Sequence, residues 1–453
     1  MFSTADAASA ADSAKRGRLL KILGVGFGVA VAIGNTIAAG IVRAPGEIAA
    51  WLPSVWLFLG VWIAGAVYAL LGSNALAELG TMIPRSGGQY QFARRALGNY
   101  AGFVVGWSDW LSNCGTTATV AFVIGEYMEV LLPALAGERL RIAVSIAVLF
   151  ALVQWRGLRW GSATQNLTSL LKGVGFVLLV AACFALGRSA GGQAATAPPA
   201  ATVSLFVGIV LALQAVNYTY DGWSGPIYFS EEVREPGRDI PRSLFAGCLA
   251  ILGIYLLLNA ALVYILPLSE IAGNNFALGL AATRAFGPYG DTIVRSLMVL
   301  SMLAGINAYH LMATRVLFAV SRDGLFTHYA ARVNPGGTPA VALWASAGVA
   351  VLFILGLDTF HKLIAVMSFF FVVNYTLSLT SLFVLRWREP QAPRPYRAWG
   401  HPWTTGAALL ASVAFLAGAV ASDTENSVWT LVLLAASYPI YRLTRRLAGP
   451  ATS

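Results

Sequence analysis

Charge is what this chain most lacks. Only 11% of its 453 residues are Asp, Glu, Lys or Arg, against 57% hydrophobic, and the mean hydropathy is +0.69. A soluble globular protein carries about 25% charged residues, so a water-soluble enzyme or binding module is excluded. Cysteine is scarce too. Cys114, Cys183 and Cys248 each sit inside an apolar run without metal-ligand spacing, so they read as small buried side chains and not as a redox or metal centre. His310, His328, His361 and His401 are too far apart to suggest a metal set, and no nucleophile motif appears. A membrane enzyme is therefore disfavoured, and neither metal nor cofactor is expected. Polar stretches are short, which leaves no room for a soluble domain.

What the chain has instead is apolar runs of spanning length, roughly 17 to 25 residues. About twelve recur, centred near Val31, Val61, Ala118, Val148, Val177, Ala212, Leu256, Leu303, Ala347, Phe371, Ala414 and Leu433. The fold class expected is an all-α integral membrane protein. The net charge of +10 raises the question of a nucleic-acid partner, but its placement answers it. With the N-terminus inside, roughly 22 of the 30 Lys and Arg fall in the tail, the even-to-odd loops and the C-terminus, and about seven fall outside. The basic balance is topology in a lipid bilayer, with both termini cytoplasmic in a cell membrane. Residues 1–14 read as a short disordered tail and not a cleaved signal, since the apolar segment after them is long and lacks a small-residue cleavage context.

Two of the apolar runs are interrupted. The sixth, LFVGIVLALQAVNYTY, stops at Asp221-Gly222-Trp223-Ser224-Gly225-Pro226 and resumes with Ile227-Tyr228-Phe229. The first carries Gly34-Asn35 and then Ala38-Ala39-Gly40 ahead of Pro45-Gly46. Lipid cannot satisfy backbone groups freed at mid-depth. Tight packing of a small-residue helix face is one explanation for the first span. Interruptions in corresponding members of two five-span halves favour another, a transporter binding site. Half-helix N-termini favour an anion, and exposed carbonyls at the facing C-terminal end favour an ammonium. A small substrate bearing both groups suits such a site. The uncharged Gly/Ala/Pro-rich stretch from Gly187 to Ala201 separates the halves.

Four stretches carry a family resemblance. They are Glu78-Leu79-Gly80-Thr81-Met82-Ile83-Pro84-Arg85-Ser86-Gly87-Gly88-Gln89-Tyr90; Tyr220-Asp221-Gly222-Trp223 with Glu231-Glu232-Val233-Arg234-Glu235-Pro236; Gly305-Ile306-Asn307-Ala308 with Ser321-Arg322-Asp323-Gly324; and Val373-Asn374-Tyr375 with Arg386-Trp387-Arg388-Glu389-Pro390. Together they resemble an amino acid–polyamine–organocation permease, nearest the L-type amino acid transporter branch. The resemblance implies a LeuT-type fold of five-plus-five inverted repeats with discontinuous helices 1 and 6. The repeats would be residues 15–190 and 200–388, with helices 11 and 12 in 389–453. It also implies alternating-access transport of amino acids, neutral L-amino acids foremost, by sodium-independent exchange or proton coupling. Carried over by position, Thr36, Ala39, Gly40 and Ile41 line the carboxylate side, and the carbonyls of Tyr218, Thr219 and Asp221 hold the amine. The Tyr218 ring is the gate, Ser224 and Asn374 are pocket polar groups, and Lys172 substitutes for a sodium ion by bridging spans one and eight.

Alternatives stand beside several of these. The family's loop in span one is usually Gly-Ser-Gly, whereas here it is Ala38-Ala39-Gly40, which keeps an amine or polyamine carrier in view. Lys172 is otherwise an interfacial lysine. Arg43 snorkels to the outer interface or meets an anionic substrate group, the first being preferred. Asp109, one turn from Asn113, binds a cation or proton or simply bonds a neighbouring helix, again with the plainer role preferred. Glu126 and Glu129 read as interfacial, and Asp221 as a cap of the second half-helix. Tyr309-His310 stand where small residues are usual and reshape the side-chain pocket. Glu231, Glu232, Arg234 and Arg238 read as an ion-pair network within the inner loop, weak if exposed. No obligate protein partner is evident; a sensor or light chain that needs a second subunit is the remaining reading.

Overall fold

The computed structural model describes residues 19–187, 204–356, 360–422 and 424–447. The N-terminal tail and nearly all of the Gly187–Ala201 separator lie outside them, as does the side chain of His361. Among the described residues the chain is built from helices, joined by a single isolated β-bridge. All twelve expected runs coincide with helices. The first is split into α1 (Val25–Thr36) and α2 (Gly40–Trp51). The second is α3 (Val55–Met82), and the amphipathic α4 (Gln89–Leu97) lies between it and the third, α5 (Asn99–Leu131). The fourth and fifth are α6 (Arg139–Trp155) and α7 (Leu158–Leu186), and the sixth is α8 (Leu205–Tyr220) followed by a 3-10 turn, Gly225–Phe229. The seventh is α9 (Pro236–Ile265). Two short helices, α10 (Leu268–Ile271) and α11 (Ala277–Phe286), connect it to the eighth, α12 (Gly290–Arg322). The last four are α13 (Ala340–Gly356), α14 (Phe360–Arg388), α15 (Trp403–Ser422) and α16 (Thr424–Leu447).

Six of these helices are individually long and apolar enough to cross a bilayer, and the bent pair α1–α2 makes a seventh. The others fall short for physical reasons. The helix α8 is cut to 16 residues by its break, and α6 and α13 have 17 each. The apolar character of α5 is diluted by Ser112, Asn113, Thr116, Thr117 and Thr119, and that of α16 by polar residues at both ends.

Packing sorts the spans into two groups. Helix α9 packs on α3 and α1, and α2 packs on α8. Separately, α12 and α13 pack on α5, and α6 packs on α5 and α13. Helix α7 touches both groups, through α1 and α12. Glycines mark close approaches at which a Cβ has no space. An added Cβ at Gly72 would lie 2.6 Å from the Trp223 ring, and one at Gly247 would lie 2.6 Å from the Ala32 Cβ. Where no hydrophobic force drives helix against helix, small residues of this kind let the backbones meet.

Candidate functional site

The break in span 1 begins where helix-poor Gly34-Asn35 meet the end of α1. Ile37 N–H returns to Ile33 O, Ala38 N–H turns back to Thr36 O at 2.9 Å, and α2 starts afresh at Gly40, bent by 47°. The first amides of α2 have no intrahelical acceptor. In span 6, α8 ends at Tyr220 and Asp221 is extended. Gly222 then takes φ +107°, a conformation suited to glycine, and Pro226 sits in the first turn of the 3-10 segment.

The two breaks touch. A Cβ on Gly40 would lie 3.0 Å from Thr219 Cα, and one on Gly222 would lie 2.7 Å from Asn35 Nδ2 and 2.9 Å from Thr36 N. Tyr255, from α9, joins them: its hydroxyl is 2.7 Å from Thr36 O and 3.0 Å from Thr219 O. All nine proposed contact residues are buried, Thr36, Ala39, Gly40, Ile41, Tyr218, Thr219, Asp221, Ser224 and Asn374 alike. Several polar atoms around them find no hydrogen-bond partner among the described residues: both side-chain atoms of Asn35, Thr36 Oγ1 and Asn374 Nδ2. A buried group left in that condition costs about 1–3 kcal/mol, so the region is polar beyond what its own fold satisfies.

The individual roles differ in places from expectation. Asp221 does not cap the second half of span 6: no side-chain bond closes that turn, and its carboxylate accepts from Tyr375 Oη at 2.6 Å. Tyr375 also stacks on Trp223 and lies 3.3 Å from Ser224 Oγ. The Tyr218 carbonyl already takes a long bond, 3.3 Å, from Asp221 N–H. Asn374 Oδ1 accepts from Ser108 Oγ at 2.7 Å, and its Nδ2 has no partner among the described residues. Tyr309 donates to Asn35 O at 3.1 Å and so props the span-1 break.

Lys172 is not interfacial. Its side chain is fully buried, and Nζ donates to Gly34 O at 2.9 Å and Ile37 O at 2.5 Å. Both carbonyls belong to the span-1 break. The expected bridge to span eight is indirect, because Ser301 of α12 donates to the same Ile37 O at 2.8 Å. Both Lys172 bonds join α7 to carbonyls at the span-1 break. Asp109 accepts through Oδ1 from Asn113 Nδ2 at 3.0 Å and from Tyr228 Oη of the 3-10 turn at 2.8 Å, while Oδ2 has no partner among the described residues. Arg43, partly exposed, pairs with Glu126 of α5.

The loop after span 6 is corrected most. Glu231 and Glu232 pair with span 8 and not within their own loop. Glu232 binds Arg315 through two bonds of 3.0 Å with neither side chain exposed, and Glu231 binds Arg322 at 2.7 Å. Arg238 pairs with Glu235 at the surface. Leu23 and residues 232–234 form the β-bridge, with Leu23 N–H to Glu232 O and Arg234 N–H to Leu23 O both at 2.9 Å. Nearby, Arg94 and Tyr90 converge on Asp323, and Arg386 and Arg394 on buried Glu78. Tyr255 and Ser301 join the site from apolar runs that give little sign of it. A hydroxyl in the apolar run of span 7 was the only signal for Tyr255, since a buried phenol needs a partner.

Two discontinuous helices whose breaks touch, with buried Lys172 on the carbonyls of one of them, have the arrangement of a membrane transporter's site. A family model described as amino acid permease matches residues 23–438, and the chain belongs to that family. It is 27% identical over 432 residues to the serine/threonine exchanger SteT of Bacillus subtilis (strain 168), covering 93% of this chain and 96% of that protein. It is 28% identical over 402 residues to Asc-type amino acid transporter 1 of Mus musculus, covering 85% and 74% respectively. It is 26% identical over 391 residues to the large neutral amino acids transporter small subunit 2 of Homo sapiens, covering 84% and 72%.

Proposed function

We propose that the protein is a carrier, not an enzyme, for neutral L-amino acids, and that small polar side chains such as those of serine and threonine suit it best. The observation that carries this is the contact of the two breaks, with Gly40 at the start of α2 set against Thr219 in the last turn of α8. The amino acid's carboxylate takes the N–H groups of Ala39, Gly40 and Ile41 at the positive end of α2, and its ammonium takes the carbonyls of Tyr218, Thr219 and Asp221. Ser224, Asn374 and Asn35 supply polar contacts to the side chain, with Tyr218 closing over it. The relative named as a serine/threonine exchanger supports that substrate range. In this reading residues 15–190 and 200–388 are the two inverted repeats, the basic face is cytoplasmic with both termini there, and the spans 1, 2, 6 and 7 rock against spans 3, 4, 8 and 9.

Transport is sodium-independent, because Lys172 already serves the carbonyls of Gly34 and Ile37. Serine uptake into serine-loaded proteoliposomes with choline in place of sodium tests this; uptake that requires sodium would refute it. Purified protein titrated with serine, threonine and decarboxylated amines separates an amino acid carrier from an amine carrier. A ligand that binds only the folded form raises its melting temperature. Gly40→Val drives a side chain into Thr219 and should abolish the serine-induced shift, and Tyr218→Ala should weaken it. Retention of the shift in both variants would move the site elsewhere. One relative's name, with its small subunit, favours a second reading in which a partner subunit assists. Exchange by vesicles containing this chain alone would decide against it.

A further inference from the structure

Two hollows beside the α1–α7 seam fall outside the site described above. The larger, about 590 Å³, is an apolar groove between the first half of span 1 and α7, bordered by Gly26, Val29, Ile33, Gly173, Val174 and Leu178. The smaller, about 340 Å³, opens at the basic face and takes in Arg159, Ser162, Asn166 and Arg234. Gly26 and Asn166 border both, so the two are continuous. From Asn166 to Leu178 a helix rises roughly 18 Å. That is close to the half-thickness, about 15 Å, of a bilayer's hydrocarbon core. The flank of the groove on α7 faces outward and is apolar: Leu170, Val174, Val177 and Leu178 are 64, 50, 58 and 63% exposed.

A hollow of one-leaflet length, greasy along its wall and ending on two guanidinium groups, fits a ligand with an apolar tail and an anionic head. We propose that it binds an anionic glycerophospholipid drawn from the leaflet at the basic face. The acyl chain lies along Gly26 and Gly173, and the phosphate sits on Arg234 and Arg159. The location gives the lipid a hold on transport. Arg234 N–H is bonded to Leu23 O, and Leu23 N–H to Glu232 O, so the head group would join the start of α7 to the strap that closes this face. The tail would lie beside the seam where Gln165 and Ser169 of α7 hold Ala30 O at 3.1 and 2.7 Å. The bound lipid therefore restrains the first half of span 1 against α7 and slows opening toward the basic face. This inference does not depend on which amino acid is carried.

The test uses the purified full-length protein in detergent, with dioleoylphosphatidylglycerol, dioleoylphosphatidylcholine or glycerol phosphate added. The phosphatidylglycerol should raise the melting temperature above that with phosphatidylcholine, and glycerol phosphate alone should not. Arg234→Gln removes the head-group contact. Gly173→Leu puts a side chain into the groove, where an added Cβ meets nothing within 4 Å. Each variant should lose most of the difference between the two lipids. Equal shifts with both lipids in the unaltered protein overturn the proposal whether or not the variants fold, and so does a full difference kept by both variants. A photo-reactive p-benzoylphenylalanine at Val174, in mixed vesicles of the two lipids, identifies the occupant directly. Preferential capture of phosphatidylglycerol supports the proposal. Equal capture of both lipids, or capture of the chain's own residues 1–18, refutes it.

Discussion

On the basic face, Glu232 meets Arg315 through two 3.0 Å bonds with neither side chain exposed, Glu231 meets Arg322, and Leu23 is tied by two backbone bonds to residues 232–234. On the opposite face, Arg43 meets Glu126 with side chains 15% and 29% exposed, and a single backbone bond of 2.9 Å runs from Gly273 N–H to Gly46 O. On each face it is the ion pairs that connect the group of spans containing the breaks to the group containing α5 and α12. They differ in how much water reaches them. A dry, bidentate pair cannot exchange its partner for solvent, whereas a wet pair can at little cost. The basic face is thus the heavier door, and the opposite face the one that yields first.

Substitutions can break that contrast, and the largest effect belongs to the dry pair. Glu232→Ala leaves a buried guanidinium without its partner and should destabilise the protein by about 3–5 kcal/mol, read as a fall in melting temperature. The double variant Glu232→Met/Arg315→Leu should recover most of that loss, because two apolar groups leave no orphaned charge. No recovery would mean that the pair is not the main source of rigidity on this face. Next comes Lys172→Met, which removes two charge-assisted bonds worth about 1.5–3 kcal/mol each. It should lower thermal stability and abolish exchange in proteoliposomes. Sharpening the comparison at the breaks, Tyr255→Phe removes one hydroxyl shared by Thr36 and Thr219 and should cost about 1 kcal/mol. It should raise the KM for serine more than it lowers kcat. The smallest effect is that of Arg43→Gln, no more than about 1 kcal/mol at a partly exposed pair. Melting temperature should hardly move while exchange rises; a loss of stability as large as that of Glu232→Ala would erase the difference between the doors.

The architecture was legible because it is written locally. Twelve apolar runs, two of them cut by Gly, Asn, Asp and Pro, are enough to locate the helices and the two breaks, since lipid forbids loose backbone. Lys172 was legible for the same reason: a charge inside a span must have a protein partner. The partners themselves were not. Glu232 and Arg315 are 83 positions apart, and nothing near either announces the other. The reading of the inner loop therefore joined charges that were neighbours in sequence, and the fold joined them to span 8 instead. Asp221 is a similar case, its side chain drawn away from its own helix by Tyr375 from 154 positions on. Tyr255 and Ser301 stayed hidden because a single hydroxyl in an apolar run is an ordinary feature until the carbonyl opposite it is known.

A phenol carries only one hydrogen, yet Tyr255 stands within bonding distance of two carbonyls, 2.7 Å from Thr36 O and 3.0 Å from Thr219 O. Thr36 O also accepts from Ala38 N–H, so the carbonyl that depends on the phenol is Thr219 O. A guest ammonium that takes over Thr219 O releases the phenol to Thr36 O, which makes this hydroxyl a relay shared by the two unwound helices.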